Sequence, residues 1–291
     1  MIRRTFLAVA AAAALLAPPV AVPATPRLEV TWLPSRPRVG DVAFLRVRGP
    51  GDGATVEGSV GGRPLTFFRD ALGYAALVGF DLELTTVGEP WRVQVLEPAR
   101  QARHASGTLR LRGRDFPVQR LTLPTPMVDL DPETERRALA ERGALRTLYR
   151  TMTPERLWRG SFVRPLAGND PGSGFGSRRI INGQPRAPHT GADYAAPRGT
   201  PVLAVNDGRV ALVADYFFQG RLVVLDHGLG LHTLYFHLDE VRVEDGERVG
   251  RGQSIGTVGS TGRATGPHLH FGAQVGSARV DPERLLTLPV D

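Results

Sequence analysis

Residues 222–238 read LVVLDHGLGLHTLYFHL. Two apolar runs, 221–225 and 231–238, flank Asp226-His227-Gly228, which is the pattern of two strands joined by a tight turn. The same pattern recurs upstream, where 202–205 and 210–213 are strand candidates around Asn206-Asp207-Gly208. No helical period of useful length follows Gly160, so 161–291 reads as an antiparallel β domain with glycine-rich turns.

That domain holds six of the seven histidines, from His189 to His270. His189-Thr190-Gly191-Ala192-Asp193 sets an imidazole and a carboxylate four residues apart, with Gly191 allowing a tight bend. His268-Leu269-His270 puts two imidazoles on one side of an extended segment, because strand side chains alternate with period two. Imidazole and carboxylate are ligands that zinc accepts, and three protein ligands plus a water make a catalytic site. Spacing alone leaves a zinc site open as one reading. His227, inside a turn, reads as structural. His232 and His237 have opposite parity on one strand and are expected on opposite faces, so one of them at most looks at a site on a given face.

Toward the N-terminus, residues 25–124 alternate differently. Leu28, Val30 and Trp32 alternate with Glu29 and Thr31, while Trp91, Val93 and Val95 alternate with Arg92 and Gln94. Breakers such as Gly49-Pro50-Gly51-Asp52-Gly53 separate the runs. This predicts an immunoglobulin-like β-sandwich, a fold that hosts many unrelated roles. His104 reads as a solvated loop residue. Residues 125–160 read as a helical connector. Asp131-Pro132-Glu133 is an N-cap with a first-turn proline, and Leu145, Leu148, Tyr149 and Met152 form an apolar side. Thr153-Pro154-Glu155 repeats the cap and predicts a short second helix ending near Gly160.

Length and composition, 291 residues with 42% hydrophobic and 22% charged, suit about two globular domains. All 36 basic residues are arginine and the net charge is +7, which favours polyanionic partners without naming one. Residues 1–24 carry Arg3-Arg4, an apolar run from Phe6 to Ala17 and the small-residue site Val22-Pro23-Ala24, the features of a cleaved secretory signal. That run is too short for a comfortable membrane span, and no later stretch is expected to remain in a membrane. The absence of cysteine excludes disulfides, a thiol nucleophile and thiolate metal ligands. An exported chain without a recognition motif is not expected to bind nucleic acid.

Five segments in unbroken order carry a family resemblance: RPLAGNDPGSGFGSRR (164–179), HTGADYAAPRGTPVLAVNDGRV (189–210), LVVLDHGLGLHTLYFHL (222–238), VGRGQSIGTVGSTGRATGPHLHFG (249–272) and VDPERLL (280–286). Together they resemble the LytM/lysostaphin-type zinc endopeptidases of bacterial cell walls. The resemblance implies a compact, mainly antiparallel β metallopeptidase domain with a narrow groove and one zinc ion per chain. Its ligands would be His189, Asp193 and His270, and the catalytic histidines His268 and His237. The implied substrate is peptidoglycan, and the implied location the periplasm, wall or exterior. Phe236 stands where the family often has a small residue, a departure expected to alter packing or the groove wall. The alternative is a wall-binding regulator of another hydrolase, possessing the fold without turnover. The connector or the sandwich is a candidate cover for the groove.

Overall fold

The computed structural model describes residues 28–98, 101–168 and 172–289; the export signal expected at 1–24 lies outside them. The chain is mainly β. In the N-terminal half, one four-stranded antiparallel sheet runs Glu29–Leu33, Val42–Arg48, Gly73–Gly79, Phe67–Asp70. The second runs Arg63–Pro64, Thr55–Val60, Gly88–Leu96, Arg103–Arg110. Between them lie Leu45, Val47, Val60, Phe80, Val93 and Val95, all buried. His104 is exposed as expected, but on a strand rather than a loop.

The first of these sheets is buried on both faces. Ala43, Leu45 and Val47 point into the sandwich, whereas Val42, Phe44, Ala75 and Leu77 join the core of the C-terminal domain. A run such as VAFLRV, apolar at nearly every position, is what a doubly covered strand requires. Contact is tight at Gly79, where an added Cβ would sit 2.8 Å from Val275 Cβ and 2.9 Å from Ala278 Cβ. Arg279 completes the junction through Asp81 (2.6 Å) and Glu83 (2.7 Å).

The stretch 118–124, inside the bounds expected for the sandwich, joins the other half instead. Val118–Leu121 pairs in parallel with Arg178–Ile181 of the C-terminal domain. Asn182 then clamps Leu123, accepting from its N–H (2.9 Å) and donating to its carbonyl (3.0 Å).

Helix α1, Pro132–Leu148, is capped by Asp131, whose carboxylate accepts from the Glu133 and Thr134 amides. Such a cap is worth about 1 kcal/mol. Leu145, 5% exposed, anchors the helix on Leu222, Val224, Leu234 and Phe236, a burial worth about 1.5–3 kcal/mol. The second helix expected from Thr153 does not form. Leu229 N–H donates to Thr153 O (2.7 Å) and Leu157 N–H to His227 O (2.8 Å). Those tertiary bonds hold the segment extended and sink Trp158 into the core.

The C-terminal sheet has nine antiparallel strands. Its central path runs Gly191–Ala195, His268–Val275, Leu231–Val241, Gly220–Asp226, Gly208–Tyr216. Val223, Leu225, Tyr235, Leu269 and Phe271 fill the main core on one face. The other face carries α1 at one end and the histidine cluster at the other.

Candidate metal centre

Strand register builds the cluster. Asp193 lies directly opposite His270, and Phe236 flanks His270 on the other side. Directly paired residues of antiparallel strands share a face, so Asp193, His270 and Phe236 form one row across three strands. His268 sits two residues before His270 on that same face. Gly191 permits the close approach, since a Cβ there would lie 2.6 Å from His270 Nε2 and 2.5 Å from Phe271 O. His189 enters from the preceding loop, fixed by its N–H to Ser177 O (2.9 Å), and is only 1% exposed.

Three donor atoms converge. His189 Nε2 lies 2.9 Å from His270 Nδ1 and 3.1 Å from Asp193 Oδ1, and His270 Nδ1 lies 3.0 Å from Asp193 Oδ1. Tetrahedral coordination with bonds of about 2.0–2.1 Å would set neighbouring donors roughly 3.3 Å apart. The group is therefore close to the size that one ion demands, and these residues could hold a metal. Burial alone would raise the Asp193 carboxyl, but hydrogen bonds from His189 and His270 outweigh it and hold the group well below the usual carboxylate range. Burial lowers His270 to about 4 against the opposing pull of Asp193. A carboxylate and an imidazole held unprotonated are the forms that a metal takes.

His237 reaches the same face by an irregularity. Arg221 pairs with Leu238 and Val223 with Tyr235, so Phe236 and His237 together oppose Leu222. That is a β-bulge, two residues against one, and His237 adopts φ 62° within it. The alternation expected for 231–238 thus breaks at this point. His232, Leu234 and Phe236 hold one face, and the bulge swings His237 onto it as well. His232 packs far from the cluster, against Tyr149.

The rings of His237 and His268 are 4.8 Å apart, and His268 Nε2 is 3.9 Å from Asp193 Oδ1. Each ring has its Nδ1 on a backbone carbonyl: Thr261 O for His237 and Gly266 O for His268, both at 2.8 Å. A carbonyl only accepts, so Nδ1 carries the proton in both, and in the neutral rings Nε2 holds a lone pair. Burial, then the neighbouring His270 and His268, lower His237 to about 3, which keeps it neutral near pH 7.

His227 is buried apart from the cluster. Its Nδ1–H donates to Asp207 O (2.8 Å), and Nε2 lies 2.7 Å from Thr233 Oγ1. Two arginines without any spacing signal stand beside the cluster. Arg179 Nη2 is 3.7 Å from Asp193 Oδ2, and Arg263 lies on the loop that supplies the Thr261 carbonyl.

Residues 187–282 match the model of peptidase family M23. The chain is 46% identical over 100 residues to peptidoglycan DD-endopeptidase ShyA of Vibrio cholerae, covering 34% of this chain and 23% of that protein. It is 47% identical over 94 residues to DD-carboxypeptidase/endopeptidase Mpg of Neisseria meningitidis, covering 32% and 22%. The chain thus spans about a quarter of the length of these curated relatives. The crystal structure of a Pseudomonas aeruginosa protein named for peptidase M23 aligns over 86% of this chain and 95% of its own, with TM-score 0.66 and 30% identity.

Proposed function

Because the chain belongs to peptidase family M23, we propose that it is an exported zinc metalloendopeptidase that hydrolyses peptide bonds in the stem peptides or cross-links of peptidoglycan. The observation that carries this reading is the convergence of His189 Nε2, Asp193 Oδ1 and His270 Nδ1 within 2.9–3.1 Å, with two further imidazoles alongside. A donor set of two nitrogens and one oxygen, with no thiolate, suits a catalytic zinc with an open position.

Zinc held there supplies Lewis-acid chemistry toward a peptide carbonyl and toward water. The remaining work falls to the protein. His268 Nε2, a lone pair 3.9 Å from Asp193 Oδ1, takes the proton of the attacking water and later delivers it to the leaving amine. His237 presents a lone pair as well, so as a neutral ring it orients the water by accepting from it. Donating to a developing oxyanion would require it to be protonated first. Asp193 stays anionic and Phe236 holds the His270 ring, so the protonation states and the geometry are set before substrate arrives.

The test is peptide release from purified peptidoglycan by the full mature chain, with and without a zinc chelator and after zinc is restored. Chelator-sensitive release, recovered with zinc, supports the reading. Zinc binding without release from several wall types would assign the chain to wall-binding regulation instead.

A further inference from the structure

Arg179 borders the candidate metal centre, 3.7 Å from Asp193 Oδ2, and Arg186 and Arg263 make one positive cluster with it. Arg179 and Arg186 face each other across the hairpin of Arg178–Ile181 and Gln184–Pro185, the Arg186 N–H donating to Arg179 O at 2.9 Å. Like charges placed opposite one another weaken a strand pair, so this arrangement costs the hairpin stability. Arg263 belongs to the facing loop, with its guanidinium 4.2 Å over the Phe218 ring.

Their present partners are neutral acceptors or distant carboxylates: Arg186 Nη2 donates to Gln184 Oε1 (2.8 Å) and Arg179 Nε to Gln119 Oε1 (3.3 Å). Among the described residues, Arg263 Nη1 reaches Met127 O at 3.4 Å. Among the described residues, the nearest carboxylate of Arg186 is Asp129 at 3.9 Å, and that of Arg179 is Asp193 at 3.7 Å, whose other oxygen is already committed to His189 and His270. Strong charge-assisted bonds are about 2.7–2.9 Å long, and each guanidinium has five donors to place. Burial, then Arg179 and Arg186, pull Arg263 down to about 10, so the cluster feels its own repulsion while remaining cationic at neutral pH.

We propose that Arg263, Arg179 and Arg186 form a receptor for a free carboxylate on the substrate peptide next to the scissile bond, making them specificity-determining residues. This rests on the peptidase reading above and deepens it. A carboxylate arriving there would take a fork of N–H donors, as arginine–carboxylate pairs do. It would displace the Met127 carbonyl from Arg263 and compete with Asp129 for Arg186.

The experiment uses the full zinc-loaded chain and two stem peptides that differ only in the carboxylate nearest the scissile bond, free in one and amidated in the other. Binding is measured by fluorescence anisotropy with the His268→Ala protein, and kcat/KM with the wild type. The free carboxylate should bind about tenfold or more tightly. Arg263→Gln and Arg186→Gln should each collapse the ratio toward one, while Arg263→Lys retains part of it. Arg186 lies on an exposed hairpin, so its variant keeps the test valid if Arg263→Gln unfolds. Equal binding of both peptides, or a ratio that survives both substitutions, overturns the proposal. Preference without turnover supports it and sinks the hydrolytic reading; turnover without preference does the reverse.

Discussion

Phe236 stacks on His270, the two rings within 4° of parallel and their centroids 5.2 Å apart. The residue expected to alter packing or the groove wall more than the chemistry therefore touches a candidate ligand. Phe236→Leu keeps most of the volume and removes the stack, so the fold should lose under about 1.5 kcal/mol. Zinc affinity should fall roughly tenfold, as when other supports of a metal ligand are removed. Chelator competition measures the second and thermal melting the first.

The five cluster residues should separate into two groups. Alanine at His189, Asp193 or His270 should empty the site of metal. Alanine at His237 or His268 should leave about one zinc per chain and lower turnover by at least roughly a hundredfold, the range of general acid–base contributions. Elemental analysis beside a peptide-release assay tells them apart, and metal loss in the His237 or His268 variant would recast that residue as a ligand.

His227 makes folding stability depend on pH. Burial holds it at about 4 in the folded chain against an ordinary 6.5, so the unfolded chain binds the extra proton between those values. Stability is then full above about pH 6.5 and falls as pH drops toward 4, with a slope of up to about 1.4 kcal/mol per unit from this group. His227→Asn should be less stable at pH 7.5 yet show a flatter decline. Parallel curves for the two proteins between pH 7.5 and 5 would refute the assignment.

At the junction of the halves, Gly79→Val should act as a wedge. A side chain there meets Val275 and Ala278 at under 3 Å, and overpacking of this kind costs about 1–3 kcal/mol. Because the sheet is shared, the melting of both halves should shift together. Cutting the chain to 161–291 is harsher, since it bares the surface that Val42, Phe44, Ala75 and Leu77 cover. That fragment should be poorly soluble beside the full chain.

Alternation and turn residues made the β character of both halves legible, and Asp131-Pro132 marked the start of α1. His268 and His270 were legible as a same-face pair because strand periodicity maps onto side-chain direction, whereas His189, Asp193 and His270 came forward as a ligand set through the family resemblance. What stayed hidden depended on partners distant in sequence. The Thr153 cap pattern met backbone acceptors and donors at 227 and 229 that no local rule anticipates. Val118–Leu121 fell within the bounds drawn for the sandwich because a strand's sequence does not name its neighbour. The apolar run 42–47 did hint at double burial. Arg179 and Arg263 sat inside segments of the family resemblance, yet only the fold sets them around one space.

The bulge at His237 has a consequence for what selection on stability alone would do to this chain. A ring-bearing residue at φ 62° sits about 1–2 kcal/mol above the conformation it would otherwise choose, whereas glycine occupies that region freely and asparagine tolerates it. A screen for heat resistance, blind to turnover, would therefore be expected to replace His237 with glycine or asparagine and return a sturdier protein without the proposed activity. On the proposed reading, the strand keeps its histidine only where the reaction is rewarded.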